Sequence, residues 1–212
     1  MFVTFEGVDG SGKTTQLNLL AARLEAAGRR VVKAQEPGGT RVGREIRRIL
    51  LEASSTDLRA VPELLLYFAS RAQNVEEVIL PALEAGAIVL ADRFTDASAA
   101  YQGCGRGLGL EMVQALDRIA CRGLKPDLTF LLDVEVEAGL RRALGRNARS
   151  PRDESRLERE DPDFHRRVRQ GYLDIHSREP ERVRLLDGRR PRQQVAAEIW
   201  SLLESSEARV HV

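Results

Sequence analysis

Gly7-Val8-Asp9-Gly10-Ser11-Gly12-Lys13-Thr14 is the stretch on which the fold turns. A glycine, four variable residues, a second glycine, a lysine and a hydroxyl residue stand one position behind the apolar run Phe2–Phe5. They stand ahead of Gln16–Ala27, a segment with helical apolar spacing. In that strand-to-helix context the glycines let the backbone curl. Its N–H groups, from Gly7 to Thr15, then face phosphate oxygens, and the helix adds its positive N-terminal end. Lys13 offers a point charge to the terminal phosphates, and the Thr14 hydroxyl is the expected ligand for Mg2+. Three lysines stand against thirty arginines in this chain, so Lys13 departs from its habitual choice of cation.

Outward from this loop, four more apolar runs follow: Arg30–Ala34, Ala87–Ala91, Asp127–Leu132 and Arg182–Leu186. Helical spacing recurs over Val42–Leu51, Pro62–Leu83, Leu110–Ala120 and Val195–Leu203. Strands alternating with helices predict an α/β fold, a parallel sheet covered by helices on both faces, with ligands beyond the carboxyl ends of its strands. Arg141–Arg167 breaks the alternation. It is dense in charge, poor in apolar positions and interrupted by Pro151 and Pro162, and it predicts a mobile flap between two helical pieces.

A length of 212 residues fits one domain, residues 1–212, that includes this flap. A net charge of +1 gives no global footprint for nucleic acid, so any anion site is local. Cys104 and Cys121 are too few for a zinc set and indicate free thiols. With no signal-peptide segment and no membrane-spanning run, the expectation is a cytoplasmic protein.

A phosphate loop alone does not separate a kinase from a GTPase or a motor. No Asn-Lys-x-Asp run, which would read guanine, is present. Ala91-Asp92-Arg93-Phe94 closes the third strand with a carboxylate and a guanidinium where ligands collect. Asp92 suits Mg2+ held through water, and Arg93 suits a bidentate grip on an acceptor phosphate. Glu36-Pro37-Gly38-Gly39-Thr40 follows the second strand and permits close approach of backbone to ligand, though by itself it reads more readily as a turn. Tyr67 and Arg71 share a helix face, where a base can stack on the ring and accept from the guanidinium. Ser98-Ala99-Ala100-Tyr101-Gln102-Gly103 places a hydroxyl and a ring near the phosphate clamp.

Glu6-Gly7-Val8-Asp9-Gly10-Ser11-Gly12-Lys13-Thr14-Thr15, Glu36-Pro37-Gly38-Gly39-Thr40, Asp92-Arg93-Phe94 and Tyr101-Gln102-Gly103-Cys104-Gly105-Arg106-Gly107, in that order and spacing, resemble bacterial thymidylate kinases. The similarity runs from Phe2 to about Asp187. It implies five parallel strands wrapped by helices, a short arginine-rich lid at about 141–160, and a homodimer. It also implies transfer of the γ-phosphoryl group of ATP to dTMP. The same resemblance implies that Tyr67 stacks on thymine, Arg71 reaches its O4, Ser98 lies near its N3 edge and Tyr101 disfavours ribonucleotides. It places Asp9 near the sugar 3′-hydroxyl and the metal, Glu36 and Pro37 in the acceptor site, and Arg93 on the acceptor phosphate.

The lid is implied to supply the cation that other members carry inside the phosphate loop, where this chain has Gly10. Arg146, Arg149, Arg152 and Arg156 are the candidates, and Arg142 is a candidate for contact with adenine. Gln35 stands where the family commonly carries arginine, and Ala97 where serine is frequent. The span from Arg146 to Arg156 is longer than the usual lid.

Overall fold

A computed structural model describes residues 1–148 and 153–210. The chain runs β1 (Phe2–Glu6), α1 (Lys13–Ala26), β2 (Val31–Gln35), α2 (Arg41–Leu51), α3 (Ala60–Asn74), α4 (Leu80–Glu84), β3 (Ile88–Asp92) and α5 (Thr95–Ser98). It continues through α6 (Leu110–Ala120), β4 (Leu128–Asp133), α7 (Val136–Asn147), α8 (Pro162–Arg178), β5 (Val183–Asp187) and α9 (Arg192–Val210). Among the described residues the strands form one sheet in the order β2-β3-β1-β4-β5, with every adjacent pair parallel.

The central strands β1, β3 and β4 are mostly apolar and buried because both faces of the sheet are covered. On one face Val3, Phe5, Leu90 and Phe130 pack against Leu17, Leu20 and Leu24 of α1 and Val195, Ile199 and Leu203 of α9. On the other, Phe2, Val89 and Ala91 meet Leu64 and Phe68 of α3 and Val113 of α6. Farther along that second face, Leu131 and Val183 meet Phe164, Val168 and Tyr172 of α8.

Each strand ends one residue later than its apolar run, and all but β1 also begin one residue later. The ladder continues onto the polar residues Glu6, Gln35, Asp92, Asp133 and Asp187, with Gln35 opposite Asp92 and Asp133 opposite Asp187. Backbone pairing does not stop where side-chain polarity changes, and those polar termini are the rim of the ligand end. Pro62–Leu83 is not one regular helix: a wide π turn, Val75–Ile79, joins α3 to α4. Pro81 sits in the first turn of α4 and has no N–H to donate back along a regular ladder.

The boundary of the predicted flap also shifts. Pro162 does not interrupt a helix but opens one: α8 starts there, with Asp161 as its cap, and the Asp161 Oδ1 accepts from the Phe164 N–H at 2.8 Å.

Candidate active site

The registers that set Phe5 and Gln35 beside Asp92 bring three loops together at the carboxyl ends of β1, β2 and β3. They are the glycine loop before α1, the Glu36–Thr40 turn before α2, and Arg93–Thr95. The Glu36–Pro37 peptide is cis, and Thr40 caps α2 by accepting from the Gly43 N–H at 2.9 Å. A cavity of about 700 Å³ opens over these loops. The glycine loop walls one end, α3 and the Glu36–Pro37 turn the other, and α7 with the segment after residue 153 forms its roof.

At the glycine-loop end Lys13 is buried, its Nζ donating to the Val8 carbonyl at 2.9 Å. Burial, helped by the charge of Arg93, lowers its pKa to about 8. The Thr14 hydroxyl donates to the Asp92 carboxylate, so hydroxyl and carboxylate sit side by side at the start of α1. Gly10 has φ +75°, and a Cβ there would stand 2.1 Å from the Gly139 carbonyl oxygen and 3.1 Å from the Arg142 Cβ. The loop therefore lies directly under α7, and no side chain fits at position 10.

Arg93 lines the cavity next to the glycine loop. Its backbone is left-handed, φ +74°, a conformation rare for a residue with a side chain. One terminal nitrogen donates to Asp9 Oδ1 at 2.7 Å and to the Tyr101 hydroxyl at 3.1 Å. The other donates to the Gly7 carbonyl at 3.2 Å and the Tyr172 hydroxyl at 3.0 Å. Tyr101 in turn donates to Asp9 Oδ2 at 2.7 Å. Burial pushes the Asp9 carboxyl up, but the charges of Arg93 and Lys13 outweigh it and hold the group well below the usual carboxylate range. Behind this layer lies Glu6, fully buried. It accepts from the Phe94 N–H at 2.7 Å and from Tyr172 at 2.9 Å, and burial together with the Asp96 carboxylate pushes its pKa up to about 8.

At the α3 end Arg71 is 1% exposed yet forms part of the cavity wall. Its Nε donates to Glu36 at 2.6 Å, and its terminal nitrogens donate to Ser98 Oγ and the Phe94 carbonyl, both at 3.0 Å. One N–H on each terminal nitrogen remains available. Burial disfavours the guanidinium charge, but Glu36 reverses that effect and raises its pKa. Tyr67, Ser98 and Tyr101 line the same wall. Gln35 and Ala97, the two departures from the resembled pattern, line it too.

The lid candidates separate. Arg142 and Arg146 of α7 line the cavity, and Arg146 is well exposed, its Nη2 3.8 Å from Glu158. Arg156 is buried instead: its Nε donates to the Leu50 carbonyl and its Nη2 lies 2.8 Å from Glu63. In this arrangement it holds the lid base to α2 and α3 and leaves no charge over the loop, a correction to its grouping with the free cations. Arg149 and Arg152 lie outside the described residues.

Several site residues receive no role from the sequence. Tyr172 comes from α8, far along the chain, and Glu6, though it opens the first quoted motif, reads as the polar end of a strand. Arg47 lines the cavity, donating to the Pro37 carbonyl at 2.9 Å and pairing with Glu154 at 2.6 Å. Glu158 also lines it, and burial together with the charge of Asp9 raises its pKa to about 7. One signal was present for α3: Glu63, Tyr67, Arg71 and Asn74 recur at helical spacing and form one polar stripe.

The family model described as thymidylate kinase matches residues 5–199. Among curated relatives, a thymidylate kinase of Pelobacter propionicus is 52% identical over 189 residues, covering 88% of this chain and 86% of the relative. One from Pelotomaculum thermopropionicum is 50% identical over 203 residues, covering 96% and 92%. The crystal structure of thymidylate kinase from Ehrlichia chaffeensis superposes with a TM-score of 0.77 at 33% identity, covering 96% of this chain and 98% of that one.

Proposed function

Since the chain belongs to the thymidylate kinase family, we propose that the cavity over the glycine loop seats dTMP against α3 and the triphosphate of ATP on that loop. The reaction is transfer of the γ-phosphoryl group of ATP to dTMP, giving dTDP and ADP on the way to dTTP. The observation that carries the seating is the placement of Arg93 between a base-sized wall of Tyr67, Arg71 and Ser98 and the loop bearing Lys13 and Thr14.

In the reaction an oxygen of the dTMP phosphate bonds to the γ-phosphorus as the bond to the β–γ bridging oxygen breaks. ADP departs with that electron pair. The protein's work is positioning and neutralisation. Arg93 holds the acceptor phosphate: ligand oxygens take up the donors now turned to Tyr101 and Gly7. Lys13 leaves the Val8 carbonyl for the β- and γ-oxygens, joined by backbone N–H groups from Gly7 to Thr15. Tyr67 covers the thymine ring. Arg71, locked by Glu36, turns its free N–H groups to the base carbonyl O4, with Ser98 near N3. Tyr101 fills the space a 2′-hydroxyl would need. Arg146 closes over the transferring group, and Arg142 lies toward adenine; Arg149 and Arg152 remain candidates for the catalytic cation.

Thr14 and Asp92 fit Mg2+: they supply one hydroxyl and one carboxylate beside the triphosphate site, and among the described residues no cluster of three ligating side chains competes for the ion. Mg2+ held there would neutralise charge on the phosphate oxygens. Asp9 flanks the same space.

The described strands all join one sheet, which supports a single kinase domain with the lid as part of it. A homodimer is supported by apolar side chains left exposed on α2, α3 and α6: Ile49, Val61, Leu65, Met112 and Ile119, the last 76% exposed. Cytoplasmic residence is supported by the free thiols Cys104 and Cys121. Among the described residues no helix is long and apolar enough to cross a membrane.

Coupled ADP production with Mg-ATP and dTMP, dUMP, UMP, dCMP, AMP or shikimate tests the seating. Turnover greatest with dTMP and weaker with dUMP is the expected result. Equal turnover of UMP and dUMP would remove the role given to Tyr101, and preference for dCMP or AMP would remove those of Arg71 and Ser98.

A further inference from the structure

We propose that Glu6 and Tyr172, neither of which lines the cavity, are positioning residues that together hold Arg93 in its working geometry. The inference rests on the reading of Arg93 as the acceptor-phosphate clamp. Arg93 has two things to keep fixed: a left-handed backbone at φ +74° and a guanidinium shared among four partners. Its own N–H is held by the Phe5 carbonyl at 3.1 Å.

Glu6 reaches both. One carboxyl oxygen accepts from the N–H of Phe94, the residue after Arg93, at 2.7 Å, and so pins the chain where it leaves the left-handed turn. The other accepts from the Tyr172 hydroxyl at 2.9 Å, and that hydroxyl oxygen accepts from Arg93 at 3.0 Å. The relay therefore runs from the end of β1 through α8 back to the guanidinium. Its members are almost wholly buried, Glu6 at 0% and Tyr172 at 2% exposure. The Tyr172 ring is wedged edge-on against Tyr101 at 6.3 Å, and it packs in the same apolar cluster as Phe164.

The partners on the substrate side differ in kind. Asp9 and Tyr101 face the cavity, where a ligand's phosphate and sugar compete for them. Tyr172 is out of reach of a ligand, so its bond to Arg93 persists when the site fills. A guanidinium anchored from behind presents its remaining N–H groups in a fixed plane, and the loss of that anchor falls on acceptor binding.

The test is a double-mutant cycle on Tyr172→Phe and Arg93→Ala. Phenylalanine keeps the ring and its packing and removes only the hydroxyl. Tyr172→Phe alone should raise KM for dTMP about tenfold, the size expected for one lost hydrogen bond to a charged group. KM for ATP should change less than about twofold and the melting temperature by no more than a few degrees. In the Arg93→Ala background the same substitution should raise KM for dTMP by less than about twofold, because the residue it positions is gone. An equal factor in both backgrounds, or KM values for dTMP and ATP rising together, shows a structural role and overturns the inference. If Arg93→Ala leaves KM for dTMP unchanged, the clamp itself is misassigned. A large effect of Arg93→Ala with none of Tyr172→Phe sinks the positioning role alone.

Discussion

Glu6 and Lys13 are buried ionisable groups a few residues apart whose shifts run in opposite directions, and the pH dependence of stability separates them. Burial and the Asp96 carboxylate raise Glu6 from 4.5 to about 8, against the opposing charge of Arg93. The folded protein therefore binds the extra proton more tightly than the unfolded chain. The stabilisation is fully present below about pH 4.5 and is lost as pH rises through about 8. Lys13 is lowered from 10.5 to about 8, so its effect falls in a different window, where stability gains as pH rises from about 8 toward 10.5. Between pH 5 and 8 Glu6 acts without it. Glu6→Gln, which keeps a neutral side chain of the same shape, should reduce the fall of melting temperature over that range, leaving the part due to Glu158, whose pKa is raised from 4.5 to about 7. The slope removed is up to about 1.4 kcal/mol per pH unit. Thermal melts of both proteins across pH 5 to 8 check this, and parallel curves would contradict it.

Between elements, the polar stripe of α3 joins the acceptor wall to the base of the lid. Glu63 is fully buried, and it binds Arg106 at 3.0 Å and Arg156 at 2.8 Å while Gln102 donates to it at 2.9 Å. Burial pushes its carboxyl up, but the bonds from Arg106 and Gln102 and the nearby positive charges win, and its pKa is lowered. Glu63→Leu leaves Arg156 buried without its carboxylate and should cost on the order of 3 kcal/mol in urea unfolding, with earlier proteolytic cleavage near residues 153–160. A loss below about 0.5 kcal/mol, the usual scatter of surface substitutions, would show that the cluster is not structural. The same cluster marks where sequence reading stops. The glycine loop, the parallel sheet and the shared face of Tyr67 and Arg71 are local patterns with fixed spacing, and they were legible. Arg156 was grouped with the free lid arginines because nothing near it in the chain announces Glu63. Pro162 was read as an interruption because a proline in a charged stretch looks the same whether it breaks a helix or opens one, and the Asp161 cap decides it. Tyr172 reaches Arg93 only through the packing of α8 on the sheet, which no spacing encodes.

For the molecule as a whole, the exposed apolar face of α2, α3 and α6 and the two-ended cavity make separate demands. If two copies meet on that face, Ile119→Glu should shift the protein from dimer to monomer in sedimentation at micromolar concentration, and an unchanged mass would remove this face from the interface. The cavity makes the sharper demand, because Arg93 and Lys13 both line it and share the neighbour Asp9, yet are assigned to different substrates. Titration calorimetry of dTMP and of a non-hydrolysable ATP analogue into the wild type, Arg93→Ala and Lys13→Ala tests that division most directly. The account predicts a crossed result: Arg93→Ala weakens dTMP at least about tenfold, with the analogue within about threefold of wild type, and Lys13→Ala does the reverse. Both variants losing the same ligand, or each losing both equally, would contradict a cavity divided between acceptor and donor at these two residues.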